Sequence, residues 1–187
     1  MRVTTAGLPG VLILEPQVFR DSRGRFIELW NERRYQDAGI PGPFVQDNVS
    51  VSRRIVIRGL HYQHPGMQGK LVCVLVGEIF DVAVDVRYGS PTFGRWIGCT
   101  LSSRDHRQLY IPEGYAHGFG ALSTEAIVLY KCTAPYQAAT EVTVRWDDPS
   151  IGIAWPIVDP IVSEKDRAGF SLGGLAREQL PECDGRS

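Results

Sequence analysis

Short runs rich in Val, Ile, Leu and Phe recur along the chain, separated by Gly, Pro and Asp. The segments 11–14, 25–30, 47–52, 70–76, 78–86, 96–101, 107–111, 118–122, 126–132 and 141–146 have the length and composition of strands. Many short strands with regular turn signals predict an all-β fold, an antiparallel sandwich or barrel. Residues 32–38 read as one or two helical turns, and 164–177 as a short C-terminal helix. Repeats, linkers and low-complexity tracts are lacking, so a single domain over residues 1–187 is expected.

Alternation says which side chains share a face. Along 78–87, Phe80, Val82, Val84 and Val86 fall on one side, and Asp81, Ala83 and Asp85 on the other. One side is therefore core, and the other is either a solvated face or the wall of a polar cavity. Alternation leaves that choice open. Along 126–132, Val128, Tyr130 and Cys132 oppose Ile127, Leu129 and Lys131. Tyr130 on its own reads more readily as a core aromatic with a hydrogen-bonded hydroxyl than as a catalyst.

Composition narrows the class. The net charge of −1 provides no broad basic field for nucleic acid or an anionic membrane, so an anionic ligand must meet a local cluster. The longest apolar run, 71–76, is too short to span a bilayer, and the first residues lack the apolar core of a signal peptide. Cys73, Cys99, Cys132 and Cys183 have no CxxC spacing, and three lie in strand-like runs. That usage suits free thiols in a reducing compartment, and a cytoplasmic location is expected.

The candidate chemistry gathers around "RGLHYQHPGMQGKLV", residues 58–72. A metal site would draw on His61, His64 and His117 with a carboxylate. His61 and His64 are three residues apart, so in an extended segment they point to opposite faces, and His64 precedes Pro65 and Gly66 in a turn. No metal is expected. Acid–base chemistry on an anionic ligand needs a base near neutrality, an acid and phosphate-binding cations; His61, Tyr130, Lys70, Arg58, Arg23 and His117 supply those types. Nucleophilic catalysis finds neither a Gly-x-Ser-x-Gly elbow nor a phosphate loop. The residues alone support a β-barrel enzyme or binding protein with a His/Lys/Arg site.

The words "VFRDSRGRFIELW", "FVQDNVSVS", "RGLHYQ", "QGKLV", "GEIFDVAVDVR", "SPTFG", "RQLYIPEGYAHGF", "LYKCT" and "VSEKD" occur in order from about residue 3 to residue 170. In that order they resemble the dTDP-4-dehydrorhamnose 3,5-epimerases. The resemblance implies a cupin-like jelly roll (double-stranded β-helix), a homodimer, and catalysis without metal or other cofactor. It also implies the substrate, dTDP-4-dehydro-6-deoxy-D-glucose, inverted at carbons 3 and 5 to dTDP-4-dehydro-L-rhamnose on the way to dTDP-L-rhamnose, a cell-surface polysaccharide precursor.

The resemblance also assigns roles. His61 matches the general base, Tyr130 the general acid, and Asp166 the carboxylate that orients the base. Lys70 and His117 match groups around the sugar. Arg23, Glu28, Gln46, Asn48, Arg58, Glu141 and Lys165 match substrate-contacting positions, and Phe19 and Tyr136 match aromatic rings near thymine. One departure is Pro135, where the family commonly has an aromatic or polar residue. Relatives in antibiotic-sugar pathways invert only carbon 3 or only carbon 5, which gives one alternative. A metal-dependent cupin and a non-catalytic nucleotide-sugar binding protein are the others.

Overall fold

Lys70–Val76 and Glu78–Asp85 are consecutive in sequence but lie in different sheets. Gly77 turns the chain between them with φ +80°, and a Cβ there would stand 2.1 Å from the carbonyl oxygen of Glu125. Only glycine fits such a corner. The computed structural model describes residues 1–183; residues 184–187 of the expected domain lie outside the described residues.

Among the described residues the strands are β1 Arg2–Thr5, β2 Leu12–Glu15, β3 Val18–Asp21, β4 Gly24–Ile27, β5 Gln46–Arg53, β6 Ile57–Gln63, β7 Lys70–Val76, β8 Glu78–Asp85, β9 Trp96–Ser102, β10 Gln108–Ile111, β11 Tyr115–Ala121, β12 Glu125–Cys132 and β13 Glu141–Thr143. A six-stranded sheet has the order β1-β2-β10-β7-β12-β5, and a five-stranded sheet the order β13-β6-β11-β8-β9. From β5 onward the chain passes repeatedly from one sheet to the other, which wraps the two into the expected jelly roll. β3 and β4 form a separate hairpin.

Between the sheets lies one apolar layer, with Val72, Val74, Leu109 and Val128 from the larger sheet and Ile79, Ala83, Leu101 and Phe119 from the smaller. The opposite face of the smaller sheet, with Val82, Val84 and Val86, is covered by Leu172, Leu175 and Leu180 of the C-terminal segment. Outside the larger sheet, Leu14, Leu71 and Tyr110 are covered by Tyr35 and Ile40. Tyr35 belongs to α1, Glu32–Asp37, which Asn31 caps by accepting from the Arg34 backbone.

The acidic side of β8 is not solvated. Asp81 and Asp85 are both fully buried, facing the space between the sheets. Asp85 is structural: it accepts from the Arg87 backbone and guanidinium, from Ser90 and from Thr92.

The structure corrects several expected elements. β1, β3 and β6 are strands that the apolar pattern does not reveal, β1 because it is a polar edge and β6 because Gly59 interrupts it. The strand expected at 118–122 is Tyr115–Ala121, buried along its whole length. The C-terminal helix shortens to α2, Glu164–Arg167, because Phe170 leaves to bridge Val144.

Candidate active site

β6 and β11 run antiparallel, with His61 directly opposite His117. At Gly59 the two backbones come so close that a Cβ would lie 2.6 Å from the His117 carbonyl oxygen; φ is +103° there. The glycine that hides the strand in the sequence is thus what seats one histidine beside the other.

His61 is a quarter exposed, and its Nε2 lies 2.6 Å from Asp166 Oδ1. Asp166 Oδ2 accepts from the Gly59 backbone at 3.3 Å. Ser163 caps α2 by accepting from the Asp166 N–H, which places the carboxylate against the strand. Burial pushes the Asp166 carboxyl up, but the hydrogen bonds from His61 and Gly59 and the His61 charge outweigh it, so it sits below the ordinary carboxylate range. A carboxylate on Nε2 leaves Nδ1 as the ring nitrogen available to a ligand. His117 repeats the arrangement: its Nε2 lies 2.7 Å from Asp81 Oδ1, and that carboxylate is wholly buried. The Asp81 charge also acts on Lys70.

The other wall comes from the larger sheet. β7 and β12 pair with Lys70 beside Cys132 and Val72 beside Tyr130, so Lys70 and Tyr130 share the inner face. Lys70 is buried, and its Nζ donates to the His61 carbonyl oxygen at 3.3 Å. Burial lowers the Lys70 pKa, against the pull of Cys132, Asp81 and Glu141. Burial likewise raises that of Tyr130, whose hydroxyl has no hydrogen-bond partner among the described residues. Both walls line one cleft of about 570 Å³, with His61 and His117 on one sheet and Lys70 and Tyr130 on the other.

Arg58 reaches the rim, donating to Ser52 Oγ at 2.9 Å and to the Val51 carbonyl at 3.1 Å. Across the mouth, Glu141 accepts from Tyr136 Oη at 3.0 Å and from Lys165 Nζ at 2.8 Å, and those hydrogen bonds help hold its carboxyl below the ordinary range against burial. Gln46 and Asn48 line an adjoining recess and hydrogen-bond each other at 2.9 Å.

Phe19, Arg23 and Glu28 are not brought to this cleft within one chain. Phe19 and Arg23 belong to the β3–β4 hairpin, where Arg23 is exposed and paired with Asp21 at 2.6 Å. Glu28 follows the hairpin and pairs with Arg34 at 3.0 Å. His64 lies in the turn beyond β6, and among the described residues no three His, Cys, Asp or Glu side chains converge as metal ligands. Sequence reasoning missed Ser163, Ser52 and Gln63. Only Ser163 carried a signal, the Ser-x-x-Asp spacing of a helix start.

The sequence matches the family described as dTDP-4-dehydrorhamnose 3,5-epimerase over residues 5–173. The chain belongs to the dTDP-4-dehydrorhamnose 3,5-epimerase family. A family member from Methanothermobacter thermautotrophicus is 53% identical over 169 residues, 89% of this chain and 91% of that one. The crystal structure of the dTDP-6-deoxy-D-glucose-3,5-epimerase from Legionella pneumophila, in complex with dTDP-4-keto-L-rhamnose, superposes with a TM-score of 0.95 at 45% identity. It covers 97% of this chain and 98% of its own. A 3'-monoepimerase from Streptomyces bikiniensis in complex with dTDP-quinovose gives a TM-score of 0.89 at 36% identity, over 95% of this chain and 92% of its own. Epimerases are isomerases, and the cupin-like jelly roll expected from the sequence is the fold of these relatives.

Proposed function

We propose that this chain inverts carbons 3 and 5 of dTDP-4-dehydro-6-deoxy-D-glucose, giving dTDP-4-dehydro-L-rhamnose. The observation that carries the reading is the placement of His61, backed by Asp166, on one wall of the cleft and Tyr130 on the other. A hydrogen on a carbon next to a ketone is weakly acidic, and its loss leaves an enolate with the charge on the ketone oxygen. His61 Nδ1 takes the proton from one ring face. Lys70 faces the oxyanion, a contribution of about 3–4 kcal/mol if it acts as one well-aimed donor. Inversion requires the carbon to be reprotonated from the opposite face, and the free Tyr130 hydroxyl is the donor there. The tyrosinate and the imidazolium then return to their starting states by proton exchange with water. The same cycle at the second carbon completes the reaction.

Arg58 is assigned to the diphosphate, His117 to the sugar, and Glu141, Lys165, Gln46, Asn48 and Tyr136 to the remaining contacts. That local set gives a chain of net charge −1 its means of binding an anion.

The protein is further proposed to work as a homodimer. Val49, Val51 and Leu75 on the outer face of the larger sheet are 60%, 56% and 40% exposed, an apolar surface that a second copy would cover. In a dimer the hairpin can supply Phe19 and Arg23 to the partner's cleft, which accounts for their absence from their own. No helix among the described residues is long and apolar enough to cross a membrane. A cytoplasmic location is proposed from the four free thiols.

The test is NMR of the substrate in deuterated water with purified protein. Solvent deuterium at both carbons, with L-rhamno product, is expected. Label at one carbon only would make the protein a single-site epimerase. Nucleotide binding without label at either carbon would make it a binding protein.

A further inference from the structure

Between β12 and β13 the segment 134–137, Ala-Pro-Tyr-Gln, has no strand or helix of its own, yet it carries Tyr136 to the mouth of the cleft. Glutamine side chains hold it. Gln68 Nε2 donates to the Ala134 carbonyl at 2.7 Å. Gln63 Nε2 donates to the Pro135 carbonyl at 3.3 Å and to the Gly66 carbonyl at 2.8 Å. Gln63 Oε1 accepts from the Gln137 N–H at 2.8 Å. Gln46 Oε1 accepts from the Tyr136 N–H at 2.8 Å. All four residues of the segment are therefore tied by a side-chain amide.

Chemistry fixes the orientation of Gln63: its carbonyl must meet the Gln137 N–H, and its NH₂ must meet the two carbonyls. Gln63 is only 2% exposed, and its three bonds are part-buried. Gln46 comes from the larger sheet and Gln63 from the smaller, so the loop is fastened to both. Gln63 is also two residues beyond His61 on one strand, hence on the same face. The result is a fixed backbone under a ring that is 51% exposed, with its hydroxyl held by Glu141.

We propose that Gln63 is a positioning residue: with Gln46 and Gln68 it clamps the loop so that Tyr136 is pre-ordered as a stacking face for the flat base of the nucleotide. The proposal rests on the nucleotide-sugar reading above. Ordering the loop at folding removes an entropic cost that binding would otherwise bear. The strand that supplies the proposed base thereby also sets where the nucleoside end lies.

The test compares dTDP with inorganic diphosphate, which lacks the base, in the parent, Gln63→Leu, Tyr136→Ala and the double variant. Gln63→Leu is expected to weaken dTDP about tenfold, a loss within the range of one base stack, and to leave diphosphate affinity unchanged. KM should rise more than kcat falls. In the Tyr136→Ala background, Gln63→Leu should add less than about twofold, because coupled residues do not act additively. Unchanged dTDP binding, equal losses for both ligands, or additive losses would overturn the clamp. If Gln63→Leu melts at the assay temperature, Gln68→Ala serves instead. A dTDP-confined loss of about threefold, the size of one neutral hydrogen bond, is then expected, and equal losses or none would overturn the proposal. A parent protein that binds no dTDP would sink the substrate reading and the clamp with it, whereas a parent that binds dTDP beside variants that lose nothing would sink the clamp alone.

Discussion

His61 and His117 are direct partners across the β6–β11 ladder, and each presents Nε2 to its own buried carboxylate, Asp166 at 2.6 Å and Asp81 at 2.7 Å. The two differ in access: the His61 side chain is 26% exposed and that of His117 is 6% exposed. The more open ring has the room to meet a carbon-bound hydrogen, while the deeper one is fixed as a wall of the cleft. This asymmetry singles out His61 as the residue to test for proton removal.

His61→Ala is expected to abolish both solvent-deuterium exchange into substrate and product formation. Tyr130→Phe keeps the ring and its packing, so the fold should survive. Residual exchange at one carbon is expected, with product formation cut by about 10²-fold or more, the loss of one positioned acid. Normal turnover by a folded Tyr130→Phe variant would remove the hydroxyl from the mechanism and leave a core aromatic.

Arg58→Ala and Arg23→Ala should each weaken dTDP binding by about 1.5–3 kcal/mol, the value of a hydrogen bond to a charged group. Calorimetry on both variants checks this. Parent-like binding by Arg58→Ala would break the diphosphate assignment. Parent-like binding by Arg23→Ala would remove the hairpin from the partner's site.

Val51→Glu places a charge on the exposed face of the larger sheet. Two copies that meet there would bring like charges together at a cost of several kcal/mol. Light scattering should show a dimeric parent and a monomeric variant. A parent that is monomeric at micromolar concentration would refute the pairing.

Exhaustive chelation should leave turnover unchanged. Loss of most activity, restored by adding a divalent cation, would reverse that expectation and favour a metal-dependent cupin.

Stability should fall on the acid side. Burial pushes the Asp85 carboxyl up, but the hydrogen bonds from Arg87, Ser90 and Thr92 overcome it and leave it below its ordinary value. Asp166 is lowered in the same net sense. A depressed folded pKa contributes stability that is complete above the unfolded value of about 3.9 and is lost as pH falls through the lower folded one. Melting temperature should therefore drop below about pH 4, and Asp85→Ala, which strands Arg87, should cost about 3–5 kcal/mol at neutral pH. Denaturant titration of the variant against the parent at both pH values checks the two statements.

What the sequence determined by itself is local or ordered along the chain. The runs 70–76 and 126–132 coincide with β7 and β12 nearly residue for residue, because period-two alternation and β-branched side chains act over a few neighbours. The ordered motifs identified the family and named His61, Lys70, His117, Tyr130 and Asp166, and the structure places all five around one cleft. Tertiary structure decided the rest. Alternation put Asp81 and Asp85 on one face, but only the second sheet behind them made that face interior, since a strand carries no record of what covers it. β6 was hidden by Gly59, whose contact with His117 exists only once β11 lies alongside. Gln63 reads as an ordinary polar residue until the 134–137 loop, more than 70 residues later, folds over it. Phe19 and Arg23 have the right residue types, but the hairpin holds them away from their own cleft. Hydrogen bonds and close backbone approaches join residues distant in sequence, and their partners are fixed by topology, which no local pattern encodes.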